Sequence, residues 1–277
     1  MMDQDFMNPR SDVTTRAKKD EQGDGEVSAL ARGLAVLRTL ADAAGPLTLK
    51  DVSDLSGIPK PTAFRLITTL LSAGLVRRMP DSERYDIGPG VMTLSRGYLA
   101  KLDVRTEARS HMRAFAEESG VTVHLGTRDR LEMVLLETVR PVSAALVMRI
   151  GVGDRLSLAS SASGRAYLAG LTNDDRGALM DMLRVQLAQQ WPSVVTQLRL
   201  AFDQYERFGF VASLGDWHPD VNAIATPLVL PDGEVYSLNC GGPSFKLPLK
   251  VLTDEIAPAL RHCADAITAS IGAANLR

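Results

Sequence analysis

Apolar residues along the first ninety positions recur at helical spacing in three short blocks. Leu30, Leu34, Leu37 and Leu40, widened by Ala41 and Ala44, predict a helix with Ser28 as N-cap that stops at Gly45-Pro46. Leu47-Thr48-Leu49 reads as a short extended piece. Val52 and Leu55 share one face over Lys50–Ser56, and Gly57 closes that helix at C′. Past the Ile58-Pro59 turn, Ala63, Ile67 and Leu70 or Leu71 place a third helix over Lys60–Ser72. Leu75–Arg78 and Arg84–Ile87 alternate like two short strands around a polar tip, Pro80-Asp81-Ser82. Three short helices followed by a two-stranded wing make a winged helix-turn-helix.

Gly88-Pro89-Gly90 interrupts the pattern, and a long helical stretch follows over Val91–Glu118 with a break at Asp103. From Gly120 the period shortens. Val121–Leu125, Leu131–Glu137 and Ala145–Ile150 read as strands, then Ser161–Leu171, Asp174–Leu187 and Pro192–Phe208 as helices. Phe210–Ser213, Ala223–Leu230 and Glu234–Cys240 return to strand, the last two joined by a hairpin at Asp232-Gly233. Pro248–Ile271 closes the chain as a helix. The expected class is α+β. It comprises a winged helix-turn-helix over 27–88, a linker helix over 89–102 and a mixed α/β domain with an antiparallel sheet over 103–277. Residues 1–26 are polar, with Phe6 the only aromatic, and are expected to form a disordered tail.

Charge changes this picture only locally. The chain carries a formal charge of −2, but residues 28–88 hold eight basic against six acidic groups. A mildly positive segment on a negative chain permits nucleic-acid binding without establishing it. Cys240 and Cys263 are too few for a disulfide scaffold and lack metal-ligand spacing. No signal-peptide pattern and no apolar run of about 18 residues occurs, so a reducing cytoplasm is expected and no membrane partner.

The third predicted helix carries the candidate chemistry for DNA. Thr62, Arg65 and Thr69 fall opposite the Ile67 stripe, with Lys60 at the start and Pro61 suited to N1. Arginine can pair with guanine edges, threonine can hydrogen-bond or present a methyl, and lysine can reach phosphate. Arg77, Arg78 and Arg84 surround the wing, placed for phosphate or the minor groove. Each feature alone also describes a solvated surface, and winged helices serve as protein-interaction modules as well.

Residues 28–88 resemble the DNA-binding domain of the IclR family of bacterial transcriptional regulators. The likeness rests on Ser28-Ala-Leu-Ala-Arg-Gly-Leu34, Leu47-Thr48-Leu49, Gly57-Ile58-Pro59-Lys60-Pro61-Thr62, Arg65-Leu66, Gly74-Leu75-Val76 and Tyr85-Asp86-Ile87-Gly88. Pro61 departs from a common serine. The resemblance continues through the second domain and implies a homodimer or homotetramer on a double-stranded operator, acting as repressor or activator. It also implies a pocket for a small effector, a small organic or aromatic acid whose catabolism the protein controls. Within Leu156–Ala166, the residues Ser160, Ser161, Ala162 and Ser163 stand at a helix start able to hold an anion. Leu146 is expected as an apolar wall, and Arg149 reads either as a carboxylate partner or as an exposed strand arginine. Gly215–Pro227 resembles the strand leading into the pocket and offers Trp217, His218, Asp220, Asn222 and Ala223. Asp220 stands near a usual glycine, and Ala223 where many members carry cysteine. Asn239 and Gly241 replace two serines of the common Ser-x-Ser-Gly-Pro, which changes the donor pattern of the expected pocket.

No catalytic machinery is legible. His111, His124, His218 and His262 are scattered, with no His-Glu-x-x-His, no Gly-x-Ser-x-Gly elbow and no complete phosphate loop. His124, alone on a strand, reads as a packed residue. No cofactor is expected. The competing class is a metabolite-binding protein or enzyme whose winged helix mediates protein contacts.

Overall fold

A computed structural model describes residues 27–142 and 150–274 of the chain. The expected tail over 1–26, the expected strand Ala145–Ile150 up to Arg149, and with it Leu146 and Arg149, lie outside the described residues. The chain divides into two compact units that part between Lys101 and Leu102.

In the first unit the helical blocks bury one stripe each. α1 (Ser28–Asp42), α2 (Leu49–Ser56) and α3 (Lys60–Ser72) enclose Val36, Leu40, Val52, Ile58, Ala63 and Ile67. Ser28 is the first helical residue of α1 and Val27 its N-cap, so no side chain caps that helix. Thr48 and Asp51 form a reciprocal capping box at α2, which satisfies two otherwise orphaned amides. Gly57 ends α2 in the left-handed region at φ 69°. The wing is three-stranded. β1 (Leu47–Thr48) pairs with β3 (Arg84–Ile87), which pairs with β2 (Val76–Arg78), all antiparallel. A two-residue strand carries no readable alternation, and only pairing with β3 identifies it. Gly88 passes so close to Gly74 that a Cβ would sit 2.4 Å from its carbonyl oxygen. α4 (Gly90–Leu99) completes this unit.

The second unit is a six-stranded antiparallel sheet between helices. Its strands run β6-β5-β4-β9-β8-β7, where β4 is Thr122–Asp129, β5 Glu132–Val139, β6 Arg155–Ser157, β7 Val211–Leu214, β8 Val221–Val229 and β9 Val235–Pro243. Strand alternation divides its side chains between two layers. Val123, Leu125, Ile224, Leu238 and Cys240 are buried on the face under α5 (Asp103–Ser119) and α10 (Ala257–Ala274). A three-residue α9 (Leu249–Val251) and a π-turn over Leu252–Ile256 lead into α10. On the other face lie α6 (Ala162–Gly170), α7 (Asn173–Leu187) and α8 (Trp191–Phe208), with Ala162, Ala166, Ala201, Val211 and Ala225 packed together. Small side chains on both surfaces let α6 approach the sheet closely. A Cβ on Gly170 would lie 2.5 Å from that of Pro227 on β8.

Candidate DNA interface and ligand cavity

The outer surface of α3 comes directly from its burial pattern. Ala63 and Ile67 are fully buried, while Lys60, Pro61, Phe64, Arg65, Thr68, Thr69 and Ser72 are exposed and Thr62 is half-buried. The solvent face therefore centres on Pro61, Arg65, Thr68 and Ser72, with Thr62 at its edge. Pro61 is the second helical residue, where an amide hydrogen would still lack an intrahelical acceptor. Thr68 and Thr69 donate their hydroxyl protons back to the Phe64 and Arg65 carbonyls at 2.9 and 3.1 Å. Their methyls and lone pairs remain for an incoming partner. Phe64, half-exposed on this face, and Thr68 are absent from the sequence reading, which followed only the i, i+3, i+7 polar row.

The wing arginines are less free than their sequence suggests. Arg77 pairs with Asp86 at 2.8 Å, Arg78 with Glu83, and Arg84 donates to the Pro46 carbonyl at 2.9 Å. The Arg77 guanidinium holds the Asp86 carboxyl below its usual range. Lys60 and Arg65 have no such partner among the described residues.

In the second unit a concavity of about 470 Å³, counting its open mouth, lies between the sheet and the start of α6. One wall is Ser161, Ala162 and Ser163 from α6; the floor is His124, Asn239, Gly241 and Ala223 from three neighbouring strands. Trp217, Val221, Ile150 and Leu156 supply apolar surface, and Ser213 joins from β7. Of the residues expected from sequence, Ser161, Ala162, Ser163, Trp217, Ala223, Asn239 and Gly241 come together here. Ser160 does not line the cavity; its carbonyl accepts from Ser213 at 3.0 Å. His218 accepts from the Asp220 amide outside the cavity, Asp220 is exposed, and Asn222 donates to the Leu247 carbonyl at 2.9 Å. His124, Ile150, Leu156, Ser213 and Val221 were not expected. The places of His124, Leu156, Ser213 and Val221 follow from cross-strand register, which no local pattern encodes.

The polar groups divide into spent and unspent. Ser161 is the N-cap of α6; it accepts from Gly164 N at 3.0 Å and donates to the Ser157 carbonyl at 2.6 Å. That leaves the Ala162 and Ser163 amides, the first two of the helix, without intrahelical acceptors. The buried hydroxyl of Ser163 and Oδ1 of Asn239 have no hydrogen-bond partner among the described residues. Such buried orphans are expected to be met by water or a bound molecule. Gly126 makes room opposite, since a Cβ there would come within 3.2 Å of Ser163 Oγ. Arg165 is 4% exposed and anchors the rim, donating to the Ala159 and Ala212 carbonyls and pairing with Asp216 at 2.8 Å. It thereby ties the start of α6 to the loop that carries Trp217. Burial pushes both Cys240 and Cys263 thiols up, Cys263 to about 12, so neither is poised as a nucleophile. Among the described residues no cluster of His, Cys, Asp and Glu could hold a metal, and no helix is long and apolar enough to cross a membrane.

Comparison with known proteins matches this two-part architecture. A family model described as the IclR helix-turn-helix domain covers residues 29–80, and one described as bacterial transcriptional regulator IclR C-terminal covers 96–269. The chain is 34% identical over 264 residues to the HTH-type transcriptional regulator TsaQ1/TsaQ2 of Comamonas testosteroni, covering 95% of each. The crystal structure of an IclR family transcriptional regulator from Brucella abortus superposes with a TM-score of 0.78 at 37% identity, covering 92% of this chain and 96% of that one. An IclR homolog from Microbacterium hydrocarbonoxydans, complexed with 4-hydroxybenzoate, shares the fold with a TM-score of 0.70 at 22% identity, over 89% of this chain and 100% of its own.

Proposed function

The chain belongs to the IclR family of bacterial transcriptional regulators and carries the family's helix-turn-helix domain, and we propose that it responds to a small organic or aromatic acid. In this reading residues 27–88 hold a palindromic operator, 89–102 form the linker and 103–277 bind effector and assemble the oligomer. The acid in the cavity changes the hold on the operator of genes for its own catabolism.

The observation that carries the reading is a pair of buried atoms without a partner among the described residues, Ser163 Oγ and Asn239 Oδ1, beside the first amides of α6. A helix N-terminus favours an anion through its amides and dipole. The 4-hydroxybenzoate held by the Microbacterium homolog is an acid of the proposed class. On the DNA side, Arg65 and Lys60 reach for bases and phosphate, while Pro61, Phe64, Thr68 and Thr69 shape the contact and Thr62 borders it. Arg77, Arg78 and Arg84 meet the backbone only by exchanging their present partners. The same reading has the protein act as a dimer, and a separate apolar surface supports it. No residue of α4 is buried, and Met92 and Leu94 on α4 with Leu30 and Leu34 on α1 expose apolar area that a second copy can cover.

The test is selection of duplexes from a random pool by the full chain, followed by anisotropy titration at several salt concentrations with and without 4-hydroxybenzoate. A dyad-symmetric consensus, affinity that falls steeply with salt, and a changed affinity with acid are expected. A chain that stays off duplex DNA at low salt is instead a metabolite-binding protein whose winged helix meets another protein.

A further inference from the structure

Three polar side chains stand in a row across neighbouring strands of the second unit. Thr138 on β5 is the direct partner of His124 on β4, which is the direct partner of Asn239 on β9. His124 Nδ1 lies 3.0 Å from Thr138 Oγ1. His124 and Asn239 are 8% and 6% exposed, yet both line the cavity. His124 Nε2 and both amide atoms of Asn239 find no partner among the described residues, and Asn239 Oδ1 is wholly shut off from solvent. The Thr138 hydroxyl can donate to Nδ1 or accept from it, so Nε2 can present either a proton or a lone pair. A carboxamide offers both as well.

The cavity's described lining contains no acidic or basic side chain other than this imidazole. Burial, reinforced by the nearby Arg140 charge, lowers His124 to about 4, which leaves the ring neutral at ordinary pH. A neutral donor–acceptor pair suits a hydroxyl or carbonyl. A second carboxylate placed against it would be desolvated without a counter-charge.

We propose that His124 and Asn239 form a subsite for an uncharged polar group of the effector, and that this pair selects hydroxy- or oxo-acids over their unsubstituted analogues and over dicarboxylates. The inference rests on the reading of the cavity as an effector site. Thr138 acts through His124 as a positioning residue.

Calorimetric titration of the full chain with matched probes tests it: 4-hydroxybenzoate against benzoate, lactate against propionate, and terephthalate and succinate as diacids. In at least one pair the hydroxylated acid is expected to bind roughly tenfold tighter or more. His124→Phe and Asn239→Leu each reduce that preference to within about twofold, whatever their effect on absolute affinity; Thr138→Val reduces it partly. Circular dichroism and thermal melting identify the folded variants, and Asn239→Ala serves if a larger replacement disturbs the sheet. Equal binding of hydroxylated and plain acids, a preference that survives the substitutions, or tighter binding of the diacids overturns the subsite and leaves the effector site standing. Failure of every acid to bind removes the effector reading and the subsite with it.

Discussion

The outer face of α3 and the floor of the cavity are both polar surfaces, built in opposite ways. On α3 the chemistry comes from one thirteen-residue helix, projects into solvent and leaves Arg65 and Lys60 without an ion-pair partner among the described residues. In the cavity it comes from the start of α6 and three strands, is almost wholly buried, and several of its groups are already committed to nearby backbone. The contrast teaches where discrimination arises. A DNA face reads a rigid, repeating partner with a few long side chains. A ligand cavity selects by leaving a small number of buried atoms unsatisfied, because leaving such an atom unpaired costs more than making an exposed contact gains.

Substitutions on either side separate the two. Arg65→Ala should have the largest effect, about 4 kcal/mol of operator affinity across the two copies of a dimer, with effector binding unchanged. Anisotropy with operator and calorimetry with effector check both halves. Arg165→Gln should do the converse. Breaking a buried pair costs about 4 kcal/mol of stability in the second unit, somewhat less here because Asp216 is partly exposed. Melting and effector titration should collapse while the isolated 27–88 segment, if stable, still binds DNA.

Next in size is a pH effect. In the unfolded chain His124 titrates near 6.5, but in the fold its pKa is lowered to about 4. The unfolded state therefore takes up a proton first. Stability from this group is complete above pH 6.5 and is lost as pH falls toward 4, by about 3 kcal/mol. Denaturant melts of wild type and His124→Phe at stepped pH should diverge over that interval, and parallel curves would remove the burial argument. The smallest effect belongs to the wing. Asp86→Asn frees Arg77 from a surface ion pair, and operator affinity should rise no more than a fewfold, with a slightly steeper salt dependence.

The parts legible in the chain are those governed by neighbours in sequence. The Gly57 cap, the Asp232-Gly233 hairpin, the α3 core stripe and the small-residue start of α6 each need only a few consecutive residues, and each appears where the pattern places it. The IclR resemblance extends this to the cavity wall, where Ser161, Ser163, Ala223 and Asn239 stand. It did not reach His124, which looks like any packed strand histidine until its neighbours are known. Nor did it show that the Ser161 hydroxyl is consumed in capping its own helix, or that Arg77 and Arg78 face acids across the wing.

What the sequence by itself determined is the kind of protein: a winged helix-turn-helix with Arg65 outward, followed by an α+β domain with a polar helix start. Periodicity and turn chemistry suffice for that, since they act over one or two turns of chain. Only the tertiary structure decided which polar atoms are left over. That outcome depends on the register of β4 against β5 and β9, and on how closely Gly126 and Gly241 let α6 and β8 approach. Hydrogen bonds are short-ranged and saturable, so a group is free or spent according to partners elsewhere in the chain, as the Ser213 hydroxyl is by the Ser160 carbonyl 53 residues before it.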